Sequence, residues 1–316
     1  MKISAIVPVW NGRELLARLL DTLEAQTLPP AELLIVDNGS TDGAPELARE
    51  RGARVITMGR NAGFAAAVNR GIQEAAHPIL AILNSDVELA PDYLERLAGA
   101  GAPFATGKIL GTDGRLDGTF DLTCRGATTW RCGAGQPDGP PYDQARAIHS
   151  PPWTAVLFEA EVFKTVGLLE ESFESYLEDA DFGLRCAALG VTGIYVPEAR
   201  AVHRGSASYG RWHAEIVRRI SRNQVLLAER HWDGKDRWRL LVAQMLWGVI
   251  AARHGQGMAW LRGKVEGLRM RPVTRQILPH EAGRLGKLLQ INEAFIRKNS
   301  TDTYWKLYFL LTTGAK

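Results

Sequence analysis

The sequence contains little cysteine. Its 316 residues include three cysteines, Cys124, Cys132 and Cys186. A sparse, odd count excludes a miniprotein held together by disulfides and favours a reducing compartment. The alternative is a protein of an oxidising compartment, in which Cys124 and Cys132 could form a disulfide bond.

The sequence also lacks a long hydrophobic run. Its longest apolar stretch, residues 240–252, contains Gln244 and falls short of the ~20 residues that a membrane-spanning helix needs. The apolar run at residues 3–7 is too short for a signal peptide. Apolar residues make up 46% of the chain and charged residues 23%, which is typical of a folded globular protein. We therefore expect a cytoplasmic protein, or one attached peripherally to the inner face of the cell membrane.

Each part of the chain is poor in charge of one sign. Residues 1–203 contain 17 Lys and Arg against 27 Asp and Glu, whereas residues 204–316 contain 21 against 8. An acidic part suits a bound cation, and a basic part suits phosphate groups or anionic lipid. The alternative for the basic part is a solvated surface that only keeps the protein soluble.

Two nucleotide-binding motifs are absent. The segment after the first predicted strand reads P-V-W-N-G at residues 8–12 where a dinucleotide-binding fold would place G-x-G-x-x-G. The phosphate loop G-x-x-x-x-G-K-S/T is missing as well. The sequence therefore counts against nicotinamide chemistry and against ATP hydrolysis of the P-loop type.

Strand-like and helical patterns alternate over the first hundred residues. Continuous apolar runs at 3–7, 33–36 and 78–83 are typical of buried strands, and segments with helical spacing of apolar residues separate them. This alternation predicts an α/β fold with a parallel sheet that helices cover on both faces.

Beyond residue 210 the apolar residues keep helical spacing almost to the end of the chain. The spacing predicts helices near residues 211–231, 236–253, 257–269, 280–298 and 302–312. We therefore expect two domains, an α/β domain at 1–210 and a basic, mostly helical region at 211–316.

Polar residues follow three of the predicted strands. Trp10 and Asn11 come after the first strand, Asp37 ends the second, and Asp86 follows the third. Because ligands of open parallel sheets bind beyond the carboxyl ends of the strands, these residues are candidates for one site. The Asp37 carboxylate can accept the imide N–H of uracil or thymine, or a ribose hydroxyl, and its alternative role is to cap the turn beside Asn38.

Several short segments occur in a characteristic order along the chain. They read I-V-P-V-W-N at 6–11, V-D-N-G-S-T-D at 36–42, N-A-G-F at 61–64 with Asn69, N-S-D at 84–86, Y-L-E-D-A-D-F-G-L-R at 176–185 and V-H-R-G-S-A-S at 202–208. Together they resemble the inverting GT-A glycosyltransferases of family 2, and within that family the rhamnosyltransferase-like branch. The resemblance covers about residues 1–210. It implies a GT-A fold, with a Rossmann-like, mostly parallel sheet flanked by helices, followed here by a C-terminal helical appendage.

The resemblance implies a site for a nucleotide-linked sugar donor. The residues at the matching positions are Pro8, Trp10, Asn11, Asp37, Asn61, Gly63, Phe64, Asn69, Asn84, Ser85, Asp86 and Arg204. In this interpretation Asp37 recognises the nucleotide, and Arg204 contacts phosphate oxygens of the donor.

The resemblance also implies a divalent cation, Mn²⁺ or Mg²⁺, held by Asp86 and His203 together with the donor's diphosphate oxygens. An imidazole ligand suits Mn²⁺ better than Mg²⁺. The family's usual Asp-x-Asp motif has Asn84 in its first position here, which removes one negative charge. The alternatives are a helix N-cap for residues 84–86 and a structural role for His203.

Asp179 matches the family's general base, which takes the proton of the acceptor hydroxyl. It lies with Glu178 and Asp181 at a predicted helix start, where the alternative role is N-capping. Glu178 and Trp153 are expected at the acceptor, and for Trp153 core packing is the alternative. Arg185 is expected to brace the acidic cluster.

The expected function is inverting transfer of a sugar, with a deoxysugar such as rhamnose among the options. The donor would be a UDP- or dTDP-sugar, and the acceptor a glycan or a polyprenyl-diphosphate-linked glycan of bacterial cell-envelope polysaccharide synthesis. The basic region at 211–316 would meet a membrane, the acceptor or a second copy in a homodimer. The alternative function is a nucleic-acid or membrane-surface binding protein driven by that region. Strand-end acids would repel phosphate, so nucleic acid is not expected as a partner.

Overall fold

A computed structural model describes residues 1–204, 212–232, 234, 236–270 and 279–313. Residues 205–208, the end of the segment at 202–208, lie outside the described residues. Within the described ranges the strands are β1 (Ile3–Val9), β2 (Glu32–Asp37), β3 (Arg54–Thr57), β4 (Ile79–Leu83), β5 (Val87–Leu89), β6 (Phe104–Gly111), β7 (Leu116–Gly118), β8 (Asp121–Thr123), β9 (Thr129–Arg131), β10 (Arg146–Ile148), β11 (Ala155–Glu159) and β12 (Gly193–His203).

The helices follow the strands in the order that the sequence predicts. In the described residues they are α1 (Arg13–Glu24), α2 (Ala44–Glu50), α3 (Phe64–Glu74), α4 (Tyr93–Ala98), α5 (Glu161–Val166), α6 (Glu178–Leu189), α7 (Ala214–His231), α8 (Arg237–Arg253), α9 (Gly257–Arg269), α10 (Pro279–Asn299) and α11 (Thr303–Thr313), with a 3₁₀ turn at Glu171–Phe173. None of the described helices is long and apolar enough to cross a membrane.

The main sheet is mixed. Its strands run in the order β10-β12-β6-β11-β4-β1-β2-β3, with β5 beside β12 and β7 beside β6. The four strands β4, β1, β2 and β3 are parallel, as their continuous apolar character predicts. The strand β11 is antiparallel to both of its neighbours, β4 and β6. The short strands β5, β7 and β10 are also antiparallel to their partners. The sheet is therefore parallel at one end and mixed beyond β4, rather than parallel throughout.

Contacts divide the chain into two compact units, and each consists of several segments. The first unit contains Met1–Phe120, Gly133–Glu174 and Val191–Gly205 and holds the whole main sheet. The second contains Asp121–Cys132, Ser175–Gly190 and Ser206–Lys316, and thus the hairpin β8–β9 and helices α6 to α11. The boundary near residue 210 between a catalytic domain and a basic region remains a prediction about function.

The core of the first unit lies between the sheet and its helices. Leu16, Leu19, Leu20 and Leu23 of α1 are buried at the i, i+3, i+4, i+7 spacing of an amphipathic helix. They pack in one cluster with apolar residues of β1 and β4. This packing fixes the strands whose ends carry the candidate site.

The second unit is mostly helical, as the spacing beyond residue 210 predicts. The helix α7 packs closely on α9, and α8 contacts both α9 and α11. An ion pair joins α10 to the β8–β9 hairpin in the same unit, because Glu293 binds two nitrogens of Arg125 at 2.6 and 2.8 Å.

Candidate active site

Four strands end at the same edge of the main sheet. The strands β1, β2 and β4 are parallel to one another. Because β4 and β6 both run antiparallel to β11, and β12 is parallel to β6, the strand β12 also shares their direction. The carboxyl ends of these strands therefore place Trp10, Asp37, Asn84 and His203 at one edge, as parallel strands of an open sheet do for a ligand site.

The turns after β1 and β2 are tied together by polar side chains. The Asn11 amide oxygen accepts a hydrogen bond from the Thr41 backbone N–H at 2.9 Å, and the Asn11 backbone N–H donates to Ser40 Oγ at 2.9 Å. Asp37 is buried, and its Oδ1 accepts from the Ser40 backbone N–H at 2.8 Å. This bond is the turn-capping role of Asp37. Trp10, which lies just before Asn11, exposes 41% of its surface and leaves an aromatic face available to a ligand.

A second loop joins this edge through Asn38. The buried Asn38 side chain donates to the Gly63 carbonyl at 3.0 Å and accepts from the Ala62 N–H at 3.0 Å. Asn61 Oδ1 accepts from the Gly63 N–H at 3.0 Å, and Phe64 begins α3 directly afterwards. Gly63 has φ of +90°, and a Cβ there would lie 2.7 Å from the Glu174 carbonyl oxygen. The loop therefore requires glycine at residue 63.

Asn69 and Trp153 are both held inside the first unit. The Asn69 amide donates to the Leu169 carbonyl at 2.9 Å and accepts from the Leu169 N–H at 2.9 Å. Trp153 is 3% exposed, and its ring centroid lies 5.0 Å from that of Phe158. Trp153 therefore packs in the core, which is the alternative role that the sequence left for it. Both side chains therefore have structural contacts, and their expected roles at the donor and the acceptor stay predictions.

Asp86, His203 and Asp117 form a chain of polar contacts. His203 Nε2 lies 3.1 Å from Asp86 Oδ1, and His203 Nδ1 lies 3.0 Å from Asp117 Oδ2. His203 is the last residue of β12, which runs from Gly193. The strand and its pairing with Val87 of β5 hold the imidazole beside Asp86.

These contacts set the charge of His203. Burial opposes protonation, but hydrogen bonds to Asp117 and Asp86 outweigh it and raise the pKa of His203 to about 9. Asp117 belongs to β7 and lies outside the short segments that carry the family resemblance. Sequence reasoning missed Asp117, since the antiparallel pairing of β7 with β6 brings it to His203 from 86 residues away.

The chemistry and spacing of Asp86 and His203 fit a divalent cation. Two adjacent ligands of an octahedral ion with bonds of about 2.1 Å lie about 3 Å apart, close to the 3.1 Å between His203 Nε2 and Asp86 Oδ1. A ligating histidine usually donates its other ring N–H to a carboxylate, and Asp117 is placed to accept it. Among the described residues no group of three or more His, Cys, Asp or Glu side chains could hold a metal ion.

The segment at 84–86 does not cap a helix. The strand β5 follows it directly, and α4 has Asp92 at its N-cap. The Asn84 backbone N–H donates to the Thr154 carbonyl at 2.8 Å, which fixes Ser85 and Asp86 beyond the end of β4. Arg204 donates its backbone N–H to the Asp86 carbonyl at 2.9 Å, while its side chain pairs with Glu88 at 2.5 Å.

The predicted base lies in the second unit among other charged groups. Asp179 is in the first turn of α6, where its Oδ2 lies 3.6 Å from Arg131 Nη2, and its side chain is 17% exposed. Arg131 also contacts Asp121, with Nε 3.3 Å from Oδ1. Burial and the charge of Asp121 raise the pKa of Asp179 to about 6, although Arg131 opposes them. A carboxylate with such a pKa is suited to accept a proton near neutral pH.

Glu178 lies beside this base and is more deeply buried. Its Oε2 has no hydrogen-bond partner among the described residues. Burial and the neighbouring charge of Asp179 raise the pKa of Glu178 well above its usual value. Leu177 occupies the N-cap of α6 and its side chain makes no capping bond, but Asp179 Oδ1 accepts from the Ala180 backbone N–H at 2.7 Å. Asp179 thus satisfies one N–H of the first turn with one oxygen, which is part of the N-capping alternative.

Asp181 has a different environment from Asp179. It is fully buried and pairs with Arg185 at 3.0 Å, Arg230 at 2.7 Å and His231 at 2.7 Å. Burial opposes its charge, but these partners prevail and lower the pKa of Asp181. Arg185 thus braces the acidic segment, as its position in the sequence predicts, while Arg230 and His231 of α7 complete the cluster.

The chain is similar to known glycosyltransferases. Residues 4–102 match the family model described as glycosyl transferase family 2. The chain is similar to an N-acetylglucosaminyl-diphospho-decaprenol L-rhamnosyltransferase of Mycobacterium tuberculosis, at 28% identity over 277 residues, covering 71% of this chain and 84% of that relative. It is also similar to glycosyltransferase AglE of Haloferax volcanii, at 33% identity over 118 residues, covering 34% of this chain and 39% of that relative.

Solved structures show a shared fold. A structure of GalNAc-T7 with UDP, GalNAc and Mn²⁺ has a TM-score of 0.65 at 14% identity, covering 96% of this chain and 58% of that one. A structure of the mannosyltransferase PcManGT from Pyrobaculum calidifontis with GDP-Man and Mn²⁺ has a TM-score of 0.52 at 15% identity, covering 99% of this chain and 88% of that one. At these identities the likeness concerns the fold alone.

Proposed function

This chain is a glycosyltransferase with a family 2 domain on a GT-A-like fold, and we propose that it transfers its sugar by inverting, metal-assisted displacement. In the proposed reaction the acceptor hydroxyl oxygen attacks the anomeric carbon of a nucleoside-diphosphate sugar. The bond from that carbon to the diphosphate breaks, and the nucleoside diphosphate leaves with the electron pair. The hydroxyl proton passes to a carboxylate of the protein.

We propose that the donor binds at the sheet edge of the first unit. The observation that carries this proposal is the convergence of Asp37, Asp86 and His203 on one set of strand ends. Asp37 uses one carboxylate oxygen in its turn, and its position at the end of β2 suits recognition of a base or ribose. Trp10 and Asn11 lie at the neighbouring strand end.

We propose that Asp86 and His203 hold Mn²⁺ or Mg²⁺ together with donor oxygens. Such ions commonly take only one or two protein ligands when substrate phosphates complete the shell. When bound, the cation neutralises charge that develops on the leaving diphosphate. Asp117 keeps the His203 ring oriented with Nε2 toward the Asp86 carboxylate.

We propose Asp179 as the general base and Glu178 as a neighbour that contacts the acceptor. The raised pKa of Asp179 supports this role, because a carboxylate with a higher pKa is a stronger base and is still mostly ionised at neutral pH. The similarity to the mycobacterial rhamnosyltransferase favours a deoxysugar and a polyprenyl-diphosphate-linked acceptor. We propose UDP or dTDP as the nucleotide of the donor.

A transfer assay with purified protein tests this function. We expect hydrolysis or transfer from one of a panel of UDP-, dTDP- and GDP-sugars in the presence of Mn²⁺. The variant Asp179→Asn should bind the donor normally but lose transfer by roughly 10²–10⁴-fold, which is typical of general-base removal. The variant Glu46→Gln, which changes an exposed carboxylate of α2, serves as the control. Near wild-type turnover by Asp179→Asn would exclude Asp179 as the base.

A further inference from the structure

The helix α8 buries small side chains and exposes several large apolar ones, which is the reverse of the usual arrangement. Its buried residues are the small Ala243, Gly248 and Ala251. Its large apolar residues Trp238, Leu241, Met245 and Val249 are instead 44–64% exposed. At 100° per residue these four lie within an arc of about 80° on one face of the helix. A surface helix of a water-soluble protein normally buries such a face.

The helix α9 shows the same reversal. Its buried residues Ala259, Gly263 and Gly267 recur at every fourth position. A Cβ on Gly263 would lie 2.2 Å from the Arg218 carbonyl oxygen, and one on Gly267 would lie 2.8 Å from that of Arg222. Glycine thus lets the backbones of α9 and α7 approach closely, a packing mode that helices use where large residues face lipid.

The outward face of α9 is apolar as well. Met258, Leu261, Val265 and Leu268 are 39–64% exposed and again fall within an arc of about 80°. Together with the exposed residues of α8 they form two apolar stripes, which we call the α8 stripe (Trp238, Leu241, Met245, Val249) and the α9 stripe. A patch of this kind marks a surface that meets another partner.

Basic residues border the stripes. Residues 237–270 contain six Lys and Arg and a single acid, Glu266. That acid lies within an ion pair with Arg218 and Arg222 of α7. Arg262 and Arg269 are exposed and lie about 40° and 20° from Met258 around the α9 axis. Arg239 pairs with Asp236 and Lys264 bonds to Gln224 and Gln244, so these two do not add free charge at the surface. Arg262 and Arg269 have no acidic partner among the described residues, so the α9 stripe combines apolar side chains with positive charge.

We propose that the α8 and α9 stripes dock on the surface of an anionic lipid bilayer. Apolar side chains would enter the boundary between headgroups and acyl chains, while the arginines meet anionic headgroups. A second copy is the weaker occupant, because self-association through these faces would bring arginines against arginines. The proposal does not depend on which sugar is transferred, or on any catalytic residue.

Vesicle flotation tests the proposal. We expect the full-length protein to float with phosphatidylcholine vesicles that contain one third phosphatidylglycerol, and not with pure phosphatidylcholine. Because part of the attraction is electrostatic, binding should fall as salt is added. Absence of binding to the anionic vesicles at low salt would overturn the proposal.

Three variants separate the contributions. Leu241→Gln with Met245→Gln should weaken vesicle binding roughly tenfold or more, since two apolar side chains are lost from the lipid contact. Ile291→Gln, which is also exposed but lies on α10, should bind like the wild type. Arg262→Gln with Arg269→Gln should reduce binding to anionic vesicles and its sensitivity to salt.

Two further measurements serve as controls for folding and for oligomeric state. Each variant should keep the wild-type circular dichroism spectrum and the same donor-hydrolysis rate in solution, so that loss of binding cannot come from unfolding. Light scattering after size exclusion reports the oligomeric state. A dimer that Leu241→Gln with Met245→Gln dissociates, together with equal vesicle binding by all variants, would assign the stripes to a second copy instead.

Discussion

At the scale of single residues, neighbours decide what each carboxylate can do. Asp179 and Asp181 are two positions apart on α6, yet their pKa values move in opposite directions. Burial and the charge of Asp121 raise the pKa of Asp179, whereas two arginines and a hydrogen bond to His231 hold Asp181 ionised. A pair of acids whose environments drive their pKa values apart is typical of a site that divides chemical and structural roles.

The pH dependence of transfer should report the environment of Asp179. A general base acts when it is deprotonated, so kcat/KM should rise with pH through an apparent pKa near 6. Asp121→Asn removes a negative charge near this carboxylate and should shift that pKa down by roughly one unit. Arg131→Gln removes the opposing positive charge and should shift it up. A pH–rate profile of the three proteins checks both signs, and identical profiles would contradict the role of Asp179.

At the scale of secondary structure elements, α6 is held in place by buried charge. Asp181 binds Arg185 on its own helix and Arg230 and His231 on α7. Asn223 of α7 also donates to the carbonyls of Ser175 and Tyr176, at 2.9 and 2.7 Å, just before α6 begins. The start of the helix that carries Asp179 is thus fixed by polar groups of α7, in addition to the bond from the Ala180 N–H to Asp179 Oδ1.

Removal of the charge on Asp181 should destabilise the protein strongly. Asp181→Asn leaves two arginines without their buried counter-charge, which typically costs about 3–5 kcal/mol. Urea unfolding measures the loss, and Glu46→Gln, which breaks an exposed pair with Arg49, should change stability by less than about 1 kcal/mol. Equal stability of the two variants would show that the cluster around Asp181 contributes little.

The same cluster predicts a pH dependence of stability. The folded state lowers the pKa of Asp181, so its contribution is fully present above the unfolded value near 4. The contribution is lost as the pH falls through the lower folded value. The stability difference between the wild type and Asp181→Asn should therefore shrink on acidification below about pH 4.

At the scale of the whole molecule, charge is divided between two parts of the chain. Residues 1–203 are acidic and residues 204–316 are basic, although the complete chain carries only +3. The acidic part contains Asp37 at the end of β2, Asp86 after the end of β4, and Asp117 of β7, which contacts His203. The basic part contains the α8 and α9 stripes. One polypeptide thus offers one surface suited to a cation and another suited to anionic groups.

Donor binding should stabilise the folded protein in a metal-dependent way. With UDP or dTDP at a hundredfold excess over Kd, linkage predicts about 2.7 kcal/mol of stabilisation. Mn²⁺ should enlarge the rise in Tm, because the cation joins the diphosphate to Asp86 and His203. Differential scanning calorimetry of the wild type, His203→Ala and Asp117→Asn measures this. We expect His203→Ala to abolish the metal dependence and Asp117→Asn to weaken it. If Mn²⁺ enlarges the rise in Tm of His203→Ala as much as that of the wild type, His203 does not bind the cation and its role is structural.

The sequence by itself determined the order of elements, since apolar periodicity and buried strands are local properties. It predicted β1, β2 and β4 and the five C-terminal helices, and it brought Asp37 and Asp86 to strand ends. The contacts of these residues depend on tertiary structure and could not be predicted from the sequence. The reversed strand β11, the extension of β12 to His203, and the contacts of Asp117 and Asp121 all arise from pairing between distant segments. Such pairing leaves no periodic signal, because two side chains that meet across a sheet or hairpin are unrelated in sequence spacing. Exposure was decided in the same way, since only packing against α7 reveals that α8 and α9 turn their small residues inward.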